Sequence, residues 1–164
     1  MKPSSTIVTT AILAITGAAH AGWEAYDKSD PITDARMVSR FVNADPAQSE
    51  SGAGLFGFVC SDNNPIKLIL SFGPALRPTT TTDVVWVVYR VDKNKPVDSY
   101  WWMSKDKRVL TMVLDEQAKT NLRRGSLLAA RFSNNKGAPL TAVFDIAGID
   151  DVVAEVEKRC SASP

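Results

Sequence analysis

Hydrophobic and polar residues alternate along most of this chain with a period of two, which is typical of half-buried β-strands. Short clusters of Gly, Pro, Asn, Asp and Ser separate these stretches and favour turns. The strands predicted in this way cover residues 23–28, 35–43, 55–61, 66–72, 83–91, 99–103, 108–114, 126–132 and 140–146. Residues 83–91 are apolar on both faces, so we expect this strand to lie centrally, with a covering layer on each side.

Two segments follow a helical period instead. Residues 115–124 place apolar side chains on one face, with Asp115 as the N-cap and Gly125 as the residue that ends the helix. Residues 149–160 form an apolar stripe with acidic residues at the start and basic residues at the end. Because no βαβ rhythm is present, the chain is predicted to be mainly β. We expect an antiparallel β-sandwich or open barrel with two short helices, the second at the C-terminus.

The first 21 residues have the pattern of a secretory signal peptide. Lys2 is followed by an apolar core at 7–15 and by Ala19-His20-Ala21, a small-x-small cleavage signature. The apolar core is too short to cross a bilayer of about 30 Å, so we expect no membrane anchor. Residues 22–164 are then predicted to form a single β-rich domain that is periplasmic or secreted.

Removal of the predicted signal peptide limits the catalytic groups that remain in the protein. It removes His20, the one histidine, which argues against Ser-His-Asp or Cys-His catalysis and against an imidazole-dependent zinc site. It also leaves 18 basic and 18 acidic residues, without a block of either sign, so nothing indicates nucleic acid as a partner. We expect no catalytic residues, no metal and no cofactor. A hydrolase that uses paired carboxylates is the enzymatic alternative.

The two cysteines, Cys60 and Cys160, are predicted to form a disulfide because an exported protein folds in an oxidising compartment. Cys60 falls in a predicted strand, and Cys160 falls on the apolar stripe of the last helix. The bond would fasten that helix to the sheet. The alternative is a pair of free, buried thiols.

Three matches to known motifs lack the structural context that their chemistry needs. The glycines in residues 52–57 fit G-x-G-x-x-G, but they open a predicted strand and not a helix. Residues 104–107 fit S-x-x-K, but they lie in a predicted turn between two strands. The aspartates Asp27, Asp30 and Asp34 lack the spacing of a calcium loop, so we interpret them as turn-capping residues.

An aromatic group provides the candidate binding site. Tyr100, Trp101 and Trp102 follow one another on a predicted strand, and Trp86 and Tyr89 lie on another. Successive strand residues point to opposite faces, so Trp101 and Trp102 cannot both enter one core layer. One ring could therefore face a glycan, a peptide or a protein partner. Our favoured interpretation is that both faces are covered and that the rings belong to the core.

The order of short motifs resembles the VasI-type exported accessory proteins that are associated with type VI secretion. The matching segments span most of the predicted mature chain: Lys28-Ser29-Asp30-Pro31-Ile32-Thr33-Asp34, residues 55–60, Trp102-Met103-Ser104, Leu122 before residues 127–132, and Phe144-Asp145-Ile146-Ala147-Gly148-Ile149 through Cys160. This resemblance implies an accessory role without a catalytic site.

We therefore expect a non-enzymatic binding protein, whose partner is another exported or envelope protein. A glycan- or peptide-binding module is one alternative, and an exposed ring of Trp101 or Trp102 in a groove would favour it. An immunity or inhibitor protein against an exported toxin is another, and the neighbouring genes would distinguish it.

Overall fold

The computed structural model describes residues 22–49, 54–62, 64–72, 83–133 and 137–161. The predicted signal peptide lies outside these residues. Residues 50–53, 73–82 and 134–136, which separate predicted strands, also lie outside them.

Nine antiparallel strands form one sheet, which confirms the predicted fold class. The strands are β1 Glu24–Ser29, β2 Arg36–Asn43, β3 Leu55–Ser61, β4 Lys67–Ser71, β5 Val84–Val91, β6 Val97–Met103, β7 Val109–Val113, β8 Leu127–Ser133 and β9 Pro139–Asp145. Their order across the sheet is β1-β2-β3-β4-β7-β6-β5-β8-β9. Two steps in this order join strands that are not consecutive in the chain, β4 with β7 and β5 with β8.

The sheet curves until its last strand, β9, reaches the end of β2, so it resembles an open barrel more than a sandwich. Ala44, directly after β2, forms an antiparallel bridge with Phe144 of β9. The next amide, that of Asp45, donates to the carbonyl of Val143 at 2.8 Å. Across the interior, the rings of Phe72, directly after β4, and Phe132 of β8 have centroids 4.0 Å apart. Side chains of opposite walls therefore form one core.

The core contains the inward-facing half of each strand's alternating pattern. On β5, for example, Val85, Val87 and Tyr89 are buried, whereas Trp86 and Arg90 point outward and are exposed. The second covering layer that we expected over this strand is not present among the described residues. A sheet that closes on itself covers its own inner face, so a strand in it can be central without being covered outside.

Helix α1, Glu116–Leu122, begins as predicted, because the Asp115 carboxylate accepts a hydrogen bond from the Ala118 amide at 2.8 Å. Its end differs from the prediction. Arg124 adopts the left-handed conformation, with φ of 58°, and Gly125 follows it. Gly125 is required for close packing, since a Cβ there would lie 2.4 Å from Cγ1 of Val91. The glycine thus marks the helix end for a steric reason and not for a conformational one.

Helix α2, Ile149–Ser161, packs on β2 and β3 through Ile149, Val152 and Val156. The predicted disulfide between Cys60 of β3 and Cys160 of α2 is confirmed, with Cα atoms 6.3 Å apart. It closes a loop across a sequence separation of 100. The last helix is therefore covalently fixed to the sheet near the chain's first strands.

A buried arginine holds the same helix electrostatically. Arg40 of β2 is 5% exposed, and its guanidinium contacts Oδ1 of Asp27 on β1 and Oε1 of Glu155 on α2, each at 2.6 Å. The hydrogen bonds from Arg40 lower the pKa of Glu155. Stabilisation by this contact is present above the ordinary pKa of a glutamate and decreases as the pH falls through the lowered value. Arg159 of α2 also contacts Asp27, which completes a network joining β1, β2 and α2.

We predict that the double variant Cys60→Ala/Cys160→Ala folds but loses about 2–4 kcal/mol of unfolding free energy, because its unfolded chain is no longer cross-linked. Thermal melting followed by circular dichroism measures this loss as a lower midpoint temperature. Wild-type protein melted in reductant should approach the variant. Two reactive thiols in denatured, unreduced wild-type protein would contradict the disulfide.

Candidate functional site

The candidate site is a group of exposed apolar side chains on the outer face of three adjacent strands, β5, β6 and β7. We call it the aromatic patch and define it by four residues. Trp86 is 48% exposed, Tyr100 65%, Trp102 63% and Val113 48%. Only three other large hydrophobic side chains among the described residues are comparably exposed, and they lie elsewhere: Tyr26, Ile32 and Leu127.

Strand register brings the patch together. Trp86 lies directly opposite Tyr100, and Trp102 lies between Val84 of β5 and Thr111 of β7. Val113 is two residues beyond Thr111, so it faces the same side of the sheet. Directly opposite residues in an antiparallel pair have Cβ atoms about 4.5–5.5 Å apart, so these side chains form one continuous surface.

One hydrogen bond fixes the orientation of a patch residue. The indole Nε1 of Trp86 donates to Oδ1 of Asp98 on β6 at 3.2 Å. Asp98 lies on the same outer face, opposite Val88. The polar edge of Trp86 is therefore already bonded, while the face of the ring remains available for an apolar contact.

The three residues that were predicted to form the binding site point to different faces of the sheet. Tyr100 and Trp102 belong to the aromatic patch, but Trp101 points into the core and is 2% exposed. The indole Nε1 of Trp101 donates to Oγ of Ser99 at 2.7 Å. Trp101 thus has a structural position, and our favoured expectation that both faces of this strand are covered does not hold for Tyr100 and Trp102.

The remaining aromatic residues of the predicted group also divide between the two faces. Trp86 joins the patch, whereas Tyr89 points inward, where its hydroxyl accepts a hydrogen bond from Asn121 at 2.9 Å. Burial raises the pKa of Tyr89. Sequence reasoning missed Val113, whose place in the patch follows from the pairing of β6 with β7 and not from its own neighbours in the chain.

The dismissed motifs have structural roles. Gly57 lies inside β3, where a Cβ would meet the carbonyl oxygen of Arg40 at 2.1 Å, so this glycine permits close approach of two strands. Ser104 and Lys107 lie in the turn between β6 and β7, where the Lys107 amide donates to the Ser104 carbonyl at 2.9 Å. The described residues of neither match have the geometry of the chemistry that the motif suggests, and Gly52 and Ala53 lie outside the described residues.

The interpretation of the aspartates near the first strand as turn-capping residues is confirmed for Asp30 and wrong for Asp27. Asp30 accepts the amides of Ile32 and Thr33 at 2.8 Å, and these hydrogen bonds lower its pKa. Asp27 belongs to the Arg40 network. Across the described ranges, no three His, Cys, Asp or Glu side chains converge as metal ligands would.

Comparisons with known proteins relate this chain to a fold and not to an activity. No family model matches it, and no curated protein matches it. Among solved structures, invasion associated protein B from Bartonella henselae is similar, with a TM-score of 0.59. The alignment covers 87% of this chain and 96% of that one at 13% identity. This likeness shows a shared fold.

None of the helices in the described part of the chain is long and apolar enough to span a bilayer.

We predict that substitution of two adjacent tryptophans by alanine lowers the unfolding free energy by very different amounts. Trp101→Ala should lose about 3–5 kcal/mol of unfolding free energy, because it leaves a cavity in the core. Trp102→Ala should stay within about 0.5 kcal/mol of wild type, because the ring is already in water. Denaturant titration of the two variants measures both values, and equal losses would contradict the assignment of these residues to opposite faces.

Proposed function

We propose that this protein is a non-enzymatic, exported binding protein and that the aromatic patch is its docking surface for another exported or envelope protein. The observation that carries the proposal is the concentration of Trp86, Tyr100, Trp102 and Val113 on one side of the sheet. Contiguous exposed apolar surface of this kind marks interaction sites on soluble proteins.

The chemistry of the patch favours a protein partner. Trp and Tyr are enriched among the residues that contribute most to protein–protein binding, since they bury a large area at a small cost in side-chain entropy. Each apolar Å² removed from water contributes about 25 cal/mol, so covering three aromatic rings supplies several kcal/mol.

A glycan is less well matched to this surface. A sugar brings hydroxyl groups that must keep hydrogen bonds when they leave water. In the patch, Val113 offers no polar group and the Trp86 indole already donates to Asp98. The Tyr100 hydroxyl and the Trp102 indole are therefore the two side-chain groups of the patch left to bond a sugar. Glycan binding remains the alternative, and it is an outcome of the experiment below.

The accessory role follows from the resemblance to VasI-type proteins. If that resemblance reflects descent, the partner belongs to the envelope part of a type VI secretion apparatus. An exported toxin is the partner expected of an immunity or inhibitor protein. The identity of a captured protein distinguishes these two roles.

The test is capture from an envelope extract by the tagged exported protein in three forms: wild type, Trp102→Ser and Tyr26→Ser. Tyr26 is a matched control, because it is a 52% exposed aromatic residue on the edge strand β1. We expect wild type and Tyr26→Ser to retain the same protein in stoichiometric amount, and Trp102→Ser to lose it. Circular dichroism establishes that all three forms are folded.

Three results would contradict the proposal. Equal capture by the wild type and the Trp102→Ser variant would remove the patch from the interaction, and competition by a soluble glycan would favour the alternative module. Release of muropeptides from peptidoglycan, abolished by changing one carboxylate to its amide, would identify a hydrolase instead.

A further inference from the structure

Three cations surround Pro96 at the end of β5 that lies away from Val84. We call this region the basic groove and define it by Arg90 of β5, Arg131 of β8 and Lys95 in the turn between β5 and β6. Arg90 and Arg131 line one pocket with Pro96, and Lys95 lines the adjoining pocket with Pro96. All three cations are exposed.

The two arginines are placed side by side by strand register. Arg90 lies opposite Ala129, and Arg131 lies opposite Val88. Arg90 and Arg131 are therefore diagonal neighbours on the outer face, about 7–8 Å apart at their Cβ atoms. A group lying between them can contact both guanidinium forks.

These cations have no acidic partner among the described residues. Arg131 uses its Nε to donate to Oγ1 of Thr141 at 3.0 Å, and neither Arg90 nor Lys95 forms an ion pair. Two nearby carboxylates already accept hydrogen bonds. Asp92 accepts the amide of Leu127 at 2.8 Å, and Asp98, on the outer face opposite Val88, accepts the Trp86 indole at 3.2 Å.

Four of the other described cations form ion pairs: Arg36, Arg40, Lys119 and Arg159. Most of the remaining described cations form none, so the feature that distinguishes the groove is the closeness of three such cations around one proline. In a chain with nearly equal numbers of acidic and basic residues, three unpaired cations in one groove form a local excess of positive charge.

The apolar floor of the groove strengthens the attraction between a bound carboxylate and the arginines. It is formed by Val88 and Ala129, which carry small apolar side chains between the two arginines. A carboxylate above this floor is partly shielded from water, so its attraction to a guanidinium exceeds that of a fully exposed surface pair. Arginine also binds carboxylates through two parallel hydrogen bonds.

The groove continues the aromatic patch along a single strand. Trp86, Val88 and Arg90 are alternate residues of β5, so all three face outward. Four residues of strand span roughly 13 Å, which is the distance between the apolar and the charged ends of this surface. One extended segment of about five residues can cover both ends.

We propose that the basic groove binds the carboxylates of an acidic segment whose apolar side chains cover the aromatic patch. This inference rests on the proposed function and specifies the chemistry of the partner: a protein segment with aliphatic or aromatic residues followed by Asp or Glu. Two forked guanidinium groups over an apolar floor match carboxylate side chains that stand on alternate residues of such a segment.

The experiment is selection from a displayed library of random 12-residue peptides on four forms of the protein. These are wild type, Arg90→Glu/Arg131→Glu, Trp102→Ser and the charge control Lys28→Glu/Lys158→Glu. The two double variants change net charge equally, and both control lysines are exposed and lie outside the groove. The probes for affinity are the selected peptides themselves, titrated by tryptophan fluorescence.

We expect wild type and the charge control to select peptides in which Asp or Glu follows apolar residues at a fixed spacing. Affinity for these peptides should fall about tenfold or more in Arg90→Glu/Arg131→Glu, and it should weaken with added salt. Replacing the acidic residues by their amides should produce a similar loss.

The outcomes separate the two proposals. Peptides that lack acidic residues, or that bind the charge-reversed variant unchanged, would overturn the groove inference. If those peptides still bind more weakly to the Trp102→Ser variant than to wild type, the aromatic patch remains the docking surface. No enrichment on any form would also overturn the groove inference, while capture from the envelope extract would still test the proposed function.

Discussion

An antiparallel sheet that curves onto itself buries its inner face without help, whereas its outer face is buried only where another layer covers it, and the rest of this structure depends on that constraint. The bridge between Ala44 and Phe144 brings the last strand of the sheet to the end of β2, and the interior then fills with alternate side chains from all sides. The outer face receives no second sheet among the described residues. Polar residues on that face need no explanation, whereas a cluster of tryptophan, tyrosine and valine there indicates contact with another molecule.

The same constraint explains why the last helix is so strongly fixed. Strands β2 and β3 need cover over part of their inner face, and α2 supplies it. The buried Arg40 would be costly there without its contacts to Asp27 and Glu155. The disulfide from Cys60 to Cys160 holds the helix in the register that these contacts require. Packing, charge and a covalent bond thus place α2 at one position.

Much of this fold can be predicted from local pattern, because alternation reports which residues share a face. The strand at residues 55–61 is found as predicted, and the cysteines pair as expected for an exported chain. The neighbours of each strand could not be predicted, because pairing of β4 with β7 is a contact between distant segments. Burial of a charged residue, Arg40, also depends on partners that lie far away in the sequence.

The candidate site shows the same limit. Alternation alone places Trp101 and Trp102 on opposite faces, but it does not determine which face is inside. That assignment depends on closure of the sheet, which also brings Val113 of β7 beside the aromatic residues of β6. The arginines of the basic groove meet for a similar reason, since β5 and β8 are adjacent in space and separated in the chain.

The most direct test of the docking surface uses the four tryptophans as reporters. Incorporation of 5-fluorotryptophan gives one fluorine resonance each for Trp23, Trp86, Trp101 and Trp102, and single Trp→Phe variants assign them. We predict that the purified captured partner shifts the resonances of Trp86 and Trp102 and protects them from solvent. The resonances of Trp23 and Trp101 should change little. Unchanged resonances of Trp86 and Trp102 in a saturated complex would contradict the assignment of the aromatic patch as the docking surface.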